Sequence, residues 1–449
     1  MRDLLVLAIV YGSLPVILLR PYFGLLVYCW LAYMRPQDMG WGDARAVPLS
    51  QWVAIAMVVG ILLTLGRERV LTLKAQTILL ALLAGWISIS YVNALLPDIA
   101  EYVYGHYWKA MLIAVLTTGL VRDRKRFRIL MMVIAFSIGL LGAKRGLYGL
   151  MRGGIRYHDG PGGFMSDNNA FALHLNMVLP LLVGIAVVEK ERILKAAAWA
   201  MAGLSVLTIL FTFSRGGLLT LCLIAPLLIW RSRQRLLVGG VLAVGLAGFL
   251  LFTSDSFTQQ YADRASSISD YEEDGSAQGR LHAWQTSWRV FLDYPLTGVG
   301  PNNLQVVHSQ YSPEPGRFRV SHNVLLQFLS ECGWPALLLF LTTLGVTLWK
   351  LQTLRAEKTT AVWMETYARM IQISILAYLA GSMFLNTAYS ELIYELVAAA
   401  TALEVIAQTA SVTEEEEPAV VAAAAPEAPW WKRPRPLPTP SSATWMKGA

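Results

Sequence analysis

Leu236 to Phe252 reads LLVGGVLAVGLAGFLLF, seventeen residues without one polar side chain. A helix that crosses the hydrocarbon core of a bilayer needs about 20 such residues. The run has no apolar/polar alternation of period two, which excludes a barrel strand and leaves a spanning helix. Comparable runs recur along the chain, near residues 4–19, 22–34, 50–66, 75–95, 107–121, 127–148, 170–188, 196–213, 216–230, 335–349, 371–386 and 391–408. Together they predict an all-α integral membrane protein with twelve or thirteen transmembrane helices, the uncertainty lying in the first two runs, which Arg20-Pro21 divides.

Bulk composition agrees. Of 449 residues, 55% are hydrophobic and only 15% charged, against roughly 25% charged in soluble domains; the mean hydropathy is +0.48. The net charge of +7 reads as the basic bias of cytoplasmic loops, so no nucleic-acid partner is expected. Cys29, Cys222 and Cys332 lie in or beside apolar runs without CxxC spacing and read as buried thiols, with neither a disulfide framework nor zinc implied. Met1 to Arg20 lacks a small-residue cleavage site and continues into a second apolar run, so no cleavable signal peptide is expected.

Basic residues in short loops give the orientation. Arg122, Arg124, Lys125, Arg126 and Arg128 form one cluster, and alternate loops carry Lys190, Arg192 and Lys195, then Arg231, Arg233 and Arg235, then Lys350, Arg355 and Lys358. These loops are assigned to the cytoplasm. The connections between them, 96–106, 253–320 and 387–390, fall outside. From residue 409 to 449 the chain changes character: Glu414 to Glu417, an Ala/Pro stretch and then WWKRPRP at 430–436 read as a disordered cytoplasmic tail. Its Trp-Lys-Arg cluster suits contact with anionic lipid headgroups.

Four polar places on the outward side stand out, because membrane proteins retain such residues mainly for function. Phe213-Ser214-Arg215-Gly216-Gly217 is a tight turn whose lone charge, Arg215, lies at headgroup depth. A guanidinium there offers bidentate hydrogen bonds to phosphate; the alternative is an interfacial arginine that snorkels. In the long outer loop, Leu281, Trp284, Trp288 and Phe291 recur at helical spacing, with Arg280 and Arg289 elsewhere around the helix. They predict an amphipathic helix on the membrane surface, followed by a Gly/Pro/Asn-rich turn that includes Asn302 and Asn303; the alternative is a folded cap without catalytic role. Ser321-His322-Asn323 opens the next apolar stretch, with Ser321 as N-cap and His322 in the first helical turn. A helix dipole keeps such an imidazole neutral, and Arg317 and Arg319 stand nearby; a merely structural histidine is the alternative. A break at Glu331-Cys332-Gly333-Trp334-Pro335 predicts a short surface helix before the true span. Finally, GPGGFMSDNN at 160–169 places Asp167, Asn168 and Asn169 in an outward loop, preceded by Lys144, Arg145, Arg152 and Arg156. It reads either as a glycan- or phosphate-binding loop or as a capped turn. Asp167 has no second carboxylate at metal-binding spacing, so no metal site is predicted. No Walker A, G-x-S-x-G or HExxH sequence occurs.

The order of FSRGG at 213–217, Gly-Arg-x3-Trp at 279–284, YPLTGVGPNN at 294–303 and Ser-His-Asn at 321–323 resembles the O-antigen ligase and polymerase superfamily over roughly residues 170–400. YMRPQ at 33–37 and the run around 163–172 resemble the branch called putative O-glycosylation ligases, associated with exosortase systems. The resemblance implies a metal-independent, inverting glycosyltransferase of the GT-C type in the bacterial inner membrane, working on the periplasmic face without a cofactor. Its donor would be a glycan on undecaprenyl diphosphate, and its acceptor a hydroxyl on a lipid, protein or polysaccharide. It divides the chain into an N-terminal membrane region (1–169), a ligase-like membrane domain (170–408) with periplasmic loop 253–320, and the tail (409–449). Arg215 and Arg280 would hold the diphosphate and His322 would orient or deprotonate the acceptor hydroxyl. Arg319, Arg317, Asn302, Asn303, Asp167, Asn168, Asn169 and Arg145 complete the expected substrate-binding set. A polymerase of the same superfamily shares this chemistry. A glycolipid transporter and a scaffold acting through its tail are the competing classes; the absence of an internal repeat and the clustering of motifs on one face favour an enzyme.

Overall fold

The computed structural model describes residues 2–39, 43–64, 70–232, 234–253, 259, 275–314, 316–357 and 360–424. Arg233, Lys358, most of 254–274 and the cluster at 430–436 lie outside the described residues. Among the described residues there are fifteen α-helices: α1 (Arg2–Leu19), α2 (Pro21–Tyr33), α3 (Leu49–Leu63), α4 (Ala75–Val92), α5 (Pro97–Leu120), α6 (Arg124–Met151), α7 (Asn168–Val188), α8 (Arg192–Phe211), α9 (Arg215–Arg231), α10 (Arg235–Phe252), α11 (Gly275–Asp293), α12 (Leu304–Tyr311), α13 (Val324–Ala356), α14 (Val362–Gly381) and α15 (Glu391–Ala424). Seven are long and apolar enough to cross a membrane, and four shorter apolar helices accompany them. The chain is an all-α, multi-pass membrane protein.

Residues 1–407 form one compact unit. Its centre is α7, almost every residue of which is buried, packed by α6, α8, α9 and α14. The helices α1, α2 and α3 pack together and join the centre where α2 meets α6, while α13 packs against α4, α11 and α14. The periphery is the reverse of a soluble surface. Leu5, Leu63, Leu82, Leu236, Val244 and Leu251 are each more than half exposed, which in water would be a liability but in lipid meets acyl chains. Basic loops gather at one end, where Arg124, Lys125, Arg128 and Lys190 surround a cavity of about 520 Å³. There Arg128 pairs with Glu189 at 2.8 Å and Arg124 lies 5.1 Å from the Trp363 ring centroid.

Several local expectations are met. Pro21 starts a new helix at Arg20-Pro21. The break at 331–335 is a kink inside α13, where Gly333 takes φ 77°, ψ 174°. A methyl on Gly333 would lie 1.9 Å from the Leu296 carbonyl oxygen, so only glycine lets the 294–303 turn dock there. That turn is clamped by Val299 N–H donating to Ser330 O (3.0 Å), Gly300 N–H to Glu331 O (2.9 Å) and Trp334 N–H to Pro295 O (3.0 Å). The amphipathic helix is α11. It buries its small-residue side, Gly279, Ala283, Thr286, Ser287 and Val290, and leaves Trp288 and Leu292 exposed on the opposite side. Residues 159–167 close a short antiparallel hairpin, β1 (Asp159–Gly162) with β2 (Met165–Asp167).

Two expectations change. Ser321 is not the cap of α13, and His322 is not in its first turn. The cap is Asn323, whose side-chain oxygen accepts from Leu325 and Leu326 N–H; a residue at the left-handed φ of His322 cannot propagate a helix. At the other end α15 continues to Ala424, so the tail begins as helix, consistent with the high helical propensity of its Ala- and Glu-rich sequence.

Candidate active site

Three helices start at the end of the unit that carries the hairpin. Asp167 caps α7, its carboxylate accepting from the N–H groups of Asn169 (2.9 Å) and Ala170 (3.0 Å). Ser214 caps α9 by accepting from Gly217 N–H at 3.1 Å, and Asn323 caps α13. Asn168 Nδ2 donates to Thr212 O (2.8 Å) and Asn176 Nδ2 to Gly217 O (3.0 Å), which ties the start of α9 to α7. Each start directs the positive end of a helix dipole toward that end of the unit.

His322 stands between these starts and the turn that follows α14. Its φ of 47° is left-handed, and its N–H donates to Asn386 Oδ1 at 2.6 Å. Asn323 Nδ2 donates to Met383 O at 3.4 Å. On the other side Ser321 is buried and its hydroxyl is hydrogen-bonded to Ser287 of α11 at 2.9 Å. The backbone that carries His322 is therefore fixed by two elements far apart in sequence. Burial lowers the imidazole pKa below the usual histidine value; the positive charges of Arg280 and Arg319 push the same way and Asp167 opposes them. The neutral ring can accept a proton near pH 7.

The cations are brought to the same place from different elements. The Arg280 guanidinium lies 6.0 Å from the Phe384 ring centroid, and a methyl on Gly216 would lie 3.6 Å from Phe384 Cβ. Phe384 is thus shared between Arg280 and the turn that carries Arg215. Arg319 lies against the backbone of Gly279, where a methyl would come within 1.8 Å of its Nη1. Its Nη2 is 3.6 Å from Glu314, and its buried Nε has no hydrogen-bond partner among the described residues. Cationic side chains around helix starts suit a multivalent anion such as a diphosphate. No group of three potential metal ligands occurs among the described residues.

The remaining predicted residues are engaged in other contacts. Asn303 is fully buried, accepts from Leu96 N–H (2.8 Å) and donates to Leu96 O and Pro301 O, so both its N–H groups are spent and burial keeps it from substrate. Asn302 gives its backbone N–H to Glu331. Both belong to the clamp on α13. Arg317 is exposed, its backbone closing a turn on Glu314 O. Arg145 is stacked between Tyr157 and Phe171 and donates to Asp159 O; it lines a separate basic cavity of about 370 Å³. Asn169 donates to Asn168 Oδ1. Sequence reasoning did not single out Asn386, Phe384 or Gly279 as site residues. The uncharged run SMFLNTAYS at 382–390, a polar interruption between two apolar helices, was the available signal for the first two.

Comparison with known protein families matches residues 200–341 to the O-Antigen ligase family and residues 1–186 to a family of unknown function. No curated protein matches the chain. The stretch 200–341, which contains Arg215, Arg280, Arg319 and His322, is thus the part of the chain that is similar to the O-antigen ligase family.

Proposed function

We propose that this protein transfers a glycan from undecaprenyl diphosphate to an acceptor hydroxyl on the periplasmic face of the bacterial inner membrane, by an inverting, metal-independent reaction of the GT-C type. The observation that carries the reading is the convergence of Arg280 and Arg319 on a half-buried His322, whose backbone is locked by Asn386. His322 takes the proton of the acceptor hydroxyl. The oxygen attacks the anomeric carbon, and the bond from that carbon to the phosphate oxygen breaks. The diphosphate leaves with the electron pair, and Arg215, Arg280, Arg319 and the helix starts stabilise its charge. Asp167, Asn168 and Asn169 frame this site rather than react in it. In this reading residues 170–408 hold the reaction centre, residues 1–169 extend it, and the tail from 409 stays in the cytoplasm. The acceptor is a lipid, a protein, as in the exosortase-associated branch, or a polysaccharide.

The test follows lipid-linked glycan in membranes containing the intact protein, His322→Ala, Arg215→Ala or no protein. Donor loss and a new glycoconjugate with the intact protein alone are expected. Product length separates a ligase from a polymerase. Full transfer by both variants removes the site assignment, and movement of donor between leaflets without covalent change replaces the enzyme with a transporter.

A further inference from the structure

A second cavity, of about 580 Å³, opens among the 35–50 connection, the start of α5, the hairpin and the first residue of α15. Its size lies within the roughly 300–1,000 Å³ of small-molecule sites. Its polar groups are unusual in being unspent. Gln37 Nε2 donates to Leu31 O, but Gln37 Oε1 is buried without a partner, as is Glu391 Oε2. Lys109, half-buried in the same wall, makes no ion pair or hydrogen bond among the described residues. Asp38, in contrast, is satisfied by Arg35 at 2.5 Å and Arg45 at 3.1 Å. At the rim Tyr102 is exposed, with its ring 4.5 Å from that of His106.

A wall that carries Arg35, Arg45 and Lys109 together with Asp38, Glu391 and Gln37 calls for a ligand that both donates and accepts hydrogen bonds. A phosphate or carboxylate would suit Lys109 and the two arginines but would face Asp38 and Glu391 in the same wall. An acyl chain offers neither. A sugar offers both at each free hydroxyl, and its C–H face packs on aromatic rings such as Tyr102. We propose that this cavity is a saccharide-binding subsite. Gly162 and Gly163 of the hairpin line it, and the same hairpin ends at Asp167, whose charge acts on His322. The hairpin thus runs from the subsite to the start of α7 beside the candidate reaction centre. The subsite's place in catalysis rests on the glycosyl-transfer reading, whereas saccharide binding does not.

The test uses purified protein in lipid nanodiscs and fluorescent oligosaccharides released by mild acid from the producing cell's surface polysaccharide. Saturable binding is expected, weakened at least tenfold by Gln37→Leu and by Lys109→Met, and retained by His322→Ala. Tyr102→Ala alters an exposed side chain that the fold does not need, and should weaken binding several-fold while the protein elutes as the intact chain does. In the transfer assay, a raised KM for acceptor alone in Gln37→Leu assigns the subsite to acceptor sugar, and a raised KM for donor alone assigns it to the carried glycan. Absence of saturable binding, or unchanged binding in the Gln37, Lys109 and Tyr102 variants, overturns the proposal. Binding without any transfer by the intact protein overturns the enzyme reading and leaves the subsite standing.

Discussion

Gly279→Ala separates the site from the scaffold better than removal of any charged residue. The new methyl would stand 1.8 Å from Arg319 Nη1 and 2.2 Å from its Cζ. What it meets is the free end of a flexible side chain, so the guanidinium moves and the backbone does not. Reaching an ordinary contact of 3.4 Å requires a retreat of roughly 1.6 Å, enough to break a charge-assisted hydrogen bond to a phosphate oxygen. Such a bond contributes about 1.5–3 kcal/mol, so kcat/KM for the lipid-linked donor should fall about 10- to 150-fold. Stability should move the other way, since alanine is favoured over glycine inside a helix by about 1 kcal/mol. The assay is donor turnover in membranes alongside Tm of the purified protein. If Arg319 is the route of the effect, Gly279→Ala combined with Arg319→Ala is no slower than Arg319→Ala alone. Full activity in Gly279→Ala, or additive losses in the double variant, refutes the role given to Arg319.

Three further predictions follow from the same geometry. Burial, Arg280 and Arg319 hold the His322 pKa down, so the acidic limb of kcat/KM should lie below the ordinary histidine value of about 6.5. Removing a neighbouring cation eases protonation, so Arg280→Ala should move that limb to higher pH; an unmoved limb in the residual activity rules out His322 as the base. Gly333→Ala meets the Leu296 carbonyl at 1.9 Å at a left-handed φ, where the obstacle is backbone; it should lower Tm, with about 1–3 kcal/mol from the conformation alone, and an unchanged Tm contradicts the clamp. At His322 itself, glycine relieves the left-handed backbone and alanine does not, so His322→Gly should be the more stable of the two by about 1–2 kcal/mol, with transfer lost in both; equal thermal stability argues against strain at this residue.

The helices were legible because lipid imposes one strong rule, that apolar runs of spanning length must be helical. Each predicted apolar stretch falls on a helix, and even the break at Gly333 was visible in its Gly-Trp-Pro sequence. Arg215 and His322 stand out in the sequence as isolated polar residues in connections read as outward. The choice of cap at α13 was not legible, since Ser321 and Asn323 are both good caps and only the contact of Ser321 with Ser287 takes one of them away. Nor was the duty of Asn303, whose partner Leu96 is 207 residues distant. An Asn-rich turn beside arginines reads as a binding loop until tertiary contacts consume its amides. The second cavity was invisible for the same reason: Gln37, Lys109 and Glu391 come from three separated segments, and none is unusual in its own neighbourhood.

Backbone strain links the two places. Among the described residues, four that are not glycine take a left-handed φ: Arg35 at 50°, Phe213 at 53°, Asn302 at 59° and His322 at 47°. Each would be more easily accommodated as glycine, so something other than chain reversal must keep the side chain. For Phe213 the reversal is needed because α8 ends at Phe211 and α9 begins at Arg215; the ring then takes the Arg156 guanidinium 5.3 Å from its centroid, and Arg215 follows two residues later at the helix start. For Asn302 the strained backbone N–H reaches Glu331 and so fixes the segment that leads back to His322. Arg35 pairs with Asp38 in the wall of the second cavity. A bundle whose central helix is almost wholly buried can hold such conformations because it has no easy relaxation. A reaction that must align a lipid-anchored diphosphate with an acceptor oxygen gains most from groups fixed before substrate arrives. In the proposed reaction, His322 and the turn at Phe213 are the places where such fixing would act.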